Sequence, residues 1–178
     1  MLSDLTKTNI ELAFHKAVRG TVARAPEDIC DIAAVMPTPG GARPEERLVL
    51  ITVSSFVFRL IAIFQVADCP ETRAYYLQGA AERGIDEAFH EVANLCCGAL
   101  NREFSHSFPH LAMSTPYSLD SRCIAYLELL RPAYLSHHLI TINGAVRLRA
   151  TLCLCCAAPI DLQLNIDERE TTGELELF

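Results

Sequence analysis

A chain of 178 residues with 51% hydrophobic and 21% charged side chains can bury a sizeable core, which excludes disorder as its main state. Its 22 acidic against 15 basic residues give a formal charge of −7, with no Trp and 7% aromatics, so the basic footprint and the stacking platform of a nucleic-acid binder are both missing. The length fits one domain spanning 1–178.

Eight cysteines lie mostly inside apolar stretches, where Cys behaves as a small hydrophobe. The N-terminus, MLSDLTKTNIELAFHK, lacks the basic and then apolar run of a signal peptide. Together these features predict a cytoplasmic protein in a reducing compartment, without disulfides.

Residues 3–24 are expected to form a helix capped by Ser3 or Thr6, with Ile10, Ala13, Phe14, Ala17 and Thr21 on one face. Residues 36–47, MPTPGGARPEER, carry three Pro and two Gly and are expected to form a mobile loop. The run from Leu48 to Ala67 has the length of a membrane span, but Arg59 would sit within the lipid. Its Val, Ile, Thr and Phe content predicts two buried strands instead, at 48–54 and 56–66. A short helix is expected at 71–78 and a strong one at 85–103, whose apolar stripe is Ile85, Phe89, Val92, Cys96 and Leu100.

A strand at 108–116 and a helix at 118–135 are expected next, the helix ended or kinked near Pro132. Strands at 139–143 and 145–157 flank Asn143-Gly144, the clearest hairpin signal in the chain. The acidic stretch 167–178 is expected to fray. This order lacks βαβ alternation and predicts an α+β fold: an antiparallel sheet with long helices packed on it.

The helix at 85–103 carries the chemistry. Glu87, Glu91, Asn94, Gly98 and Asn101 follow one another at steps of 4, 3, 4 and 3, which lines them up opposite the apolar stripe. Asn and Gly are poor helix formers, and placing both on one exposed stripe costs roughly 1 kcal/mol or more. A glycine there lets another backbone approach closely. A solvated helix face is the plain alternative.

The pattern Glu-x-x-Asn-x-x-x-Gly on a helix resembles the signature of the CheC/CheX chemotaxis phosphatases. In that family an Asp or Ser precedes the Glu by four positions, and a Pro follows the Asn after roughly twenty residues. Here Glu87 stands at the first position, Glu91 and Asn94 at the core, and Pro116 follows Asn94 after 21 intervening residues. Glu87 departs from the family's preference. The first helix has no second Glu-x-x-Asn, so one site per chain resembles the CheX type, which implies a homodimer.

The resemblance implies hydrolysis of the aspartyl phosphate on a CheY-like response-regulator receiver. The receiver supplies Mg²⁺ and a Lys, and no cofactor is expected on this chain. Asn94 would position the attacking water and Glu91 would dock on the receiver's Lys, making these two the catalytic pair. Glu87, Gly98 and Pro116 would contact the partner. The alternative is a non-catalytic adaptor of the same fold that binds a receiver or a flagellar-switch partner.

Other groupings are set aside. Cys153 and Cys156 point to opposite faces of a strand, and no second C-x-x-C accompanies them. Cys96-Cys97, about 100° apart on a helix, cannot chelate together unaided; His137-His138 at a strand start could bind metal, but adjacent histidines are more often a loop feature, and no metal site is expected. A Cys/His nucleophile pair stays open, because proximity in the fold is not visible in the sequence. Gly40-Gly41 has no phosphate-loop spacing.

Overall fold

The computed structural model describes residues 2–37, 46–78 and 84–163. Helix α1 (Asp4–Val22) starts where Ser3 Oγ accepts from the Thr6 N–H at 3.0 Å. It buries Ile10, Ala13, Phe14 and Ala17 as expected, while Thr21 is half-buried. An edge strand, β1 (Cys30–Ala34), follows, and its short, mostly exposed sequence gave no pattern to read.

Strands β2 (Glu46–Ser54) and β3 (Phe58–Ala67) form the expected antiparallel hairpin, with Ser54 opposite Arg59. Arg59 is exposed. Among the described residues no helix is long and apolar enough to cross a membrane. Helix α2 (Pro70–Leu77) opens on a proline, whose fixed φ suits the first turn, and ends at Gln78 in the left-handed region. Helix α3 (Ile85–Ser105) is unbroken.

The segment after α3 departs from the expectation. One strand at 108–116 is replaced by two short ones, β4 (Ala112–Met113) and β5 (Tyr117–Leu119), both pairing with β2 on either side of Pro116. The expected α-helix at 118–135 is a 3₁₀ segment at Ser121–Leu130. Its Ile124 and Leu127, three apart, pack on Leu48, Leu50 and Ile63. A 3₁₀ helix stacks i and i+3 on one line, which suits a narrow apolar strip laid on a sheet.

Strands β6 (Tyr134–Ile142) and β7 (Val146–Cys156) turn at Asn143 and Gly144, both with positive φ. That conformation is the reason for the Asn-Gly pair. β6 starts five residues earlier than expected, because Tyr134 to Leu135 is strand and not helix.

The strands join in one antiparallel sheet ordered β1-β6-β7-β3-β2-β4, with β5 also on β2. Helices α1 and α3 lie together on one face, over a core that includes Phe14, Phe64, Phe89, Phe104 and Ile140. The fold class is α+β, as the element order implied. Of the loop expected at 36–47, Glu46 and Arg47 belong instead to β2, where they pair with β3, and 38–45 lie outside the described residues, as does the acidic tail at 167–178.

Candidate functional site

Helix α3 turns about 100° per residue, so its residues sort into two faces. Phe89, Ala93, Cys96 and Leu100 are buried against the sheet. Glu87, Glu91 and Asn94 are exposed on the opposite side, and Gly98 is half-exposed between them and Arg102. Glu91 and Asn94 are neighbours on this face, one turn before Gly98. The Asn94 carboxamide bonds to no described residue.

A Cβ built on Gly98 would meet only Arg102 Nη1, at 3.9 Å. The fold itself therefore does not need a glycine there, although glycine costs a helix interior about 1 kcal/mol relative to alanine. Asn101 differs from the expected stripe. It is half-buried, and its Oδ1 is buried without a hydrogen-bond partner among the described residues.

Pro116, half-buried, is held beside this helix. Ser114 clamps Thr52, with its N–H donating to Thr52 O and its Oγ accepting from Thr52 N–H, both at 2.9 Å. On the other side of Pro116, Ser118 is opposite Val49 and its Oγ lies 2.8 Å from His90 Nε2 of α3. Cys97 Sγ sits over Thr52 O at 3.8 Å. The stretch of α3 from His90 to Cys97 thus runs along Val49 to Thr52, and Pro116 lies between Ser114 and Ser118, which are anchored to the same stretch of β2.

Two features of this face were not read from the sequence. Leu95 is 54% exposed beside Glu91, a large apolar side chain amid polar ones. It borders a cleft of about 290 Å³ lined also by Thr21, Arg24, Tyr76, Glu91 and Val92. The Arg24 guanidinium is held over α2 by the carbonyls of Tyr75 and Tyr76. A second groove, about 380 Å³, runs between α1 and α3 past Gly20, Ala99, Arg102 and His106. Lys16 and Glu103 bridge it with a 2.9 Å ion pair. Leu95 stands four positions after Glu91, and that intrusion into a polar stripe was the available signal.

Three of the buried or half-buried cysteines are poor nucleophiles. All eight are free, and burial pushes the thiols of Cys96 and Cys153 up to about 12 and that of Cys97 up to about 11. Such thiols stay protonated and unreactive. Among the described residues no thiol is hydrogen-bonded to a histidine.

Three solved structures share this fold. The CheX of a CheX–CheY–BeF3–Mg²⁺ complex from Borrelia burgdorferi superposes with a TM-score of 0.60 at 7% identity, over 84% of this chain and 97% of that one. The fold is that of the CheX and CheC-like chemotaxis proteins. CheX from Vibrio vulnificus matches at TM-score 0.58 and 11% identity, over 82% of this chain and 95% of that one. The middle domain of FliM from Vibrio alginolyticus has the same fold at TM-score 0.54 and 8% identity, over 83% of this chain and 92% of that one. No family model matches the sequence, and no curated protein matches it.

Proposed function

We propose that this CheX-like chain is a phosphatase for the aspartyl phosphate of a CheY-like receiver domain in chemotaxis or two-component signalling. The observation that carries the reading is the pairing of Glu91 and Asn94, exposed side by side on an unbroken helix with Gly98 one turn on. A CheX–CheY complex among the structural neighbours supports a receiver as the partner.

The chemistry asks little of the chain. An aspartyl phosphate is an activated acyl phosphate, and its hydrolysis needs a water held in line with the phosphorus. The Asn94 amide oxygen accepts a hydrogen bond from that water, while its NH₂ faces the receiver's site. The water oxygen bonds to phosphorus as the bond to the aspartyl oxygen breaks, leaving inorganic phosphate and a free carboxylate. Mg²⁺ belongs to the receiver and neutralises the phosphoryl oxygens. Glu91 docks on the receiver's Lys by a charge-assisted contact. Gly98 permits close approach, and Glu87 and Pro116 flank the contact. A homodimer with one such site per subunit completes the proposal.

The adaptor reading has its own support, because the FliM middle domain shares the fold and a fold does not fix a function. A time course of receiver dephosphorylation with and without this protein separates the two. Acceleration supports the phosphatase. Binding to the phosphorylated receiver without acceleration supports the adaptor.

A further inference from the structure

Glu11 and His15 are one turn apart on α1, a spacing that puts both side chains on one face. That flank faces β6. His138 of β6, 1% exposed, projects up to it from the sheet. His138 Nε2 lies 3.1 Å from Glu11 Oε2, and its Nδ1 lies 3.5 Å from His15 Nε2. His15 Nε2 and Glu11 Oε2 are 3.7 Å apart. One donor atom from each residue therefore stands within 4.8 Å of the other two. Two ligands of a tetrahedral ion with bonds near 2.0–2.1 Å stand roughly 3.4 Å apart, and the separations of His15 Nε2 from His138 Nδ1, 3.5 Å, and from Glu11 Oε2, 3.7 Å, are close to that.

The surroundings orient these donors. Glu11 Oε1 accepts from Tyr134 Oη at 2.8 Å and from Ser136 Oγ at 2.6 Å, which leaves Oε2 toward the imidazoles. Ser136 Oγ is also 3.1 Å from His138 Nε2. Coordination through His138 Nδ1 leaves Nε2 to donate to that hydroxyl, the outer bond that fixes a ligand imidazole. Phe14 packs against the His138 ring, centroids 5.1 Å apart, and shields one side.

A neutral imidazole and an ionised carboxylate are the metal-binding forms of these side chains.

We propose that Glu11, His15 and His138 bind one divalent transition-metal ion of the zinc class, with solvent completing its shell. Two imidazoles and a carboxylate form a borderline donor set that suits Zn²⁺. The ion clamps α1 to β6 across 123 residues of sequence. The proposal departs from the sequence expectation of no metal, which weighed the cysteines and the His137-His138 pair. His137 turns to the other face of β6, where its Nδ1 lies 2.9 Å from Thr151 Oγ1. The site is independent of the phosphatase reading.

The test uses the full chain, stripped with chelator, re-loaded with Zn²⁺ alone and dialysed. One retained equivalent is expected, together with a raised Tm. Co²⁺ loaded in its place should give d–d absorption without a thiolate charge-transfer band, which excludes the cysteines as ligands. His15→Ala and Glu11→Gln should each weaken binding by about 100-fold or more, and Tyr134→Phe by about 10-fold, with far-UV circular dichroism unchanged. His15 is about a quarter exposed, so its variant is expected to fold where a His138 variant could fail. No retained zinc, a thiolate band, or binding that His15→Ala and Glu11→Gln leave unchanged would overturn the site.

Discussion

His90 Nε2 and Ser118 Oγ lie 2.8 Å apart and tie α3 to the short strand β5. β5 is three residues long, and among the described residues its backbone pairs with β2 alone. The contact therefore does more for the placement of Pro116 than for global stability. Ser118→Ala should cost about 0.5–1 kcal/mol at most, as for one exposed neutral hydrogen bond. Native-state hydrogen exchange should show faster opening at Tyr117 to Leu119 and unchanged protection in the β2–β3 hairpin. Unchanged exchange in β5 would mean that β2 alone fixes this segment.

Asn94→Ala should fold normally, because an exposed helix position tolerates alanine well. Its acceleration of receiver dephosphorylation should fall on the order of 10²-fold or more, as when one preorganised polar group is removed from an active site. Glu91→Ala should act differently. If it docks on a Lys, its loss weakens the complex as well as turnover, and the binding defect shrinks at high salt. Full activity of Asn94→Ala on several phosphorylated receivers would remove the catalytic reading.

The legibility of these elements follows from how locally each is determined. Helix α3 and its two faces could be read because its apolar residues repeat at the helical period. The β6–β7 turn could be read because Asn143 and Gly144 must adopt positive φ. Strand β1 could not, since it is a sheet edge that turns only Cys30 and Ile32 inward and so shows too little alternation. Residues 121–130 misled in another way. Ile124 and Leu127 have a helical spacing, and only the sheet beneath them selects the 3₁₀ form. The Glu11–His15–His138 cluster was out of reach, because it joins α1 to a strand on the far side of the sequence.

Gly98→Ala separates fold from interface. Its new Cβ would meet only Arg102 Nη1, at ordinary contact distance, so the isolated protein should gain about 0.4–1 kcal/mol from reduced unfolded-chain freedom. Chemical denaturation measures that gain. If a receiver packs closely on this turn, the same variant binds it more weakly while being more stable. Gain of stability with unchanged receiver affinity would show that nothing approaches Gly98.

The homodimer is testable without the partner. Strand β1 ends the sheet on one side, with Ile29 66% and Met36 85% exposed at its two ends. An open edge with apolar ends is a surface on which a second sheet can pair. Light scattering at micromolar concentration should report twice the chain mass. A monomer would leave one site per particle and remove the dimer from the proposal.

Acid titration of the metal-free protein reads the Glu11 cluster directly. The Glu11 carboxyl has an ordinary value of 4.5 and is held at about 2 in the fold, with burial opposing and bonds from His138, Ser136 and Tyr134 prevailing. A carboxyl whose pKa is depressed by folding contributes stability that is fully present above its unfolded value and is lost as pH falls through the folded one. The stability difference between the parent chain and Glu11→Gln should therefore shrink as pH falls from roughly 4.5 to 2. Other carboxylates, including Asp28 at about 2, titrate in the same window, but they do so in both proteins and cancel in the difference. Denaturant melts at closely spaced pH values provide the measurement. A difference that stays flat through this window would mean that Glu11 is not held ionised by its three donors.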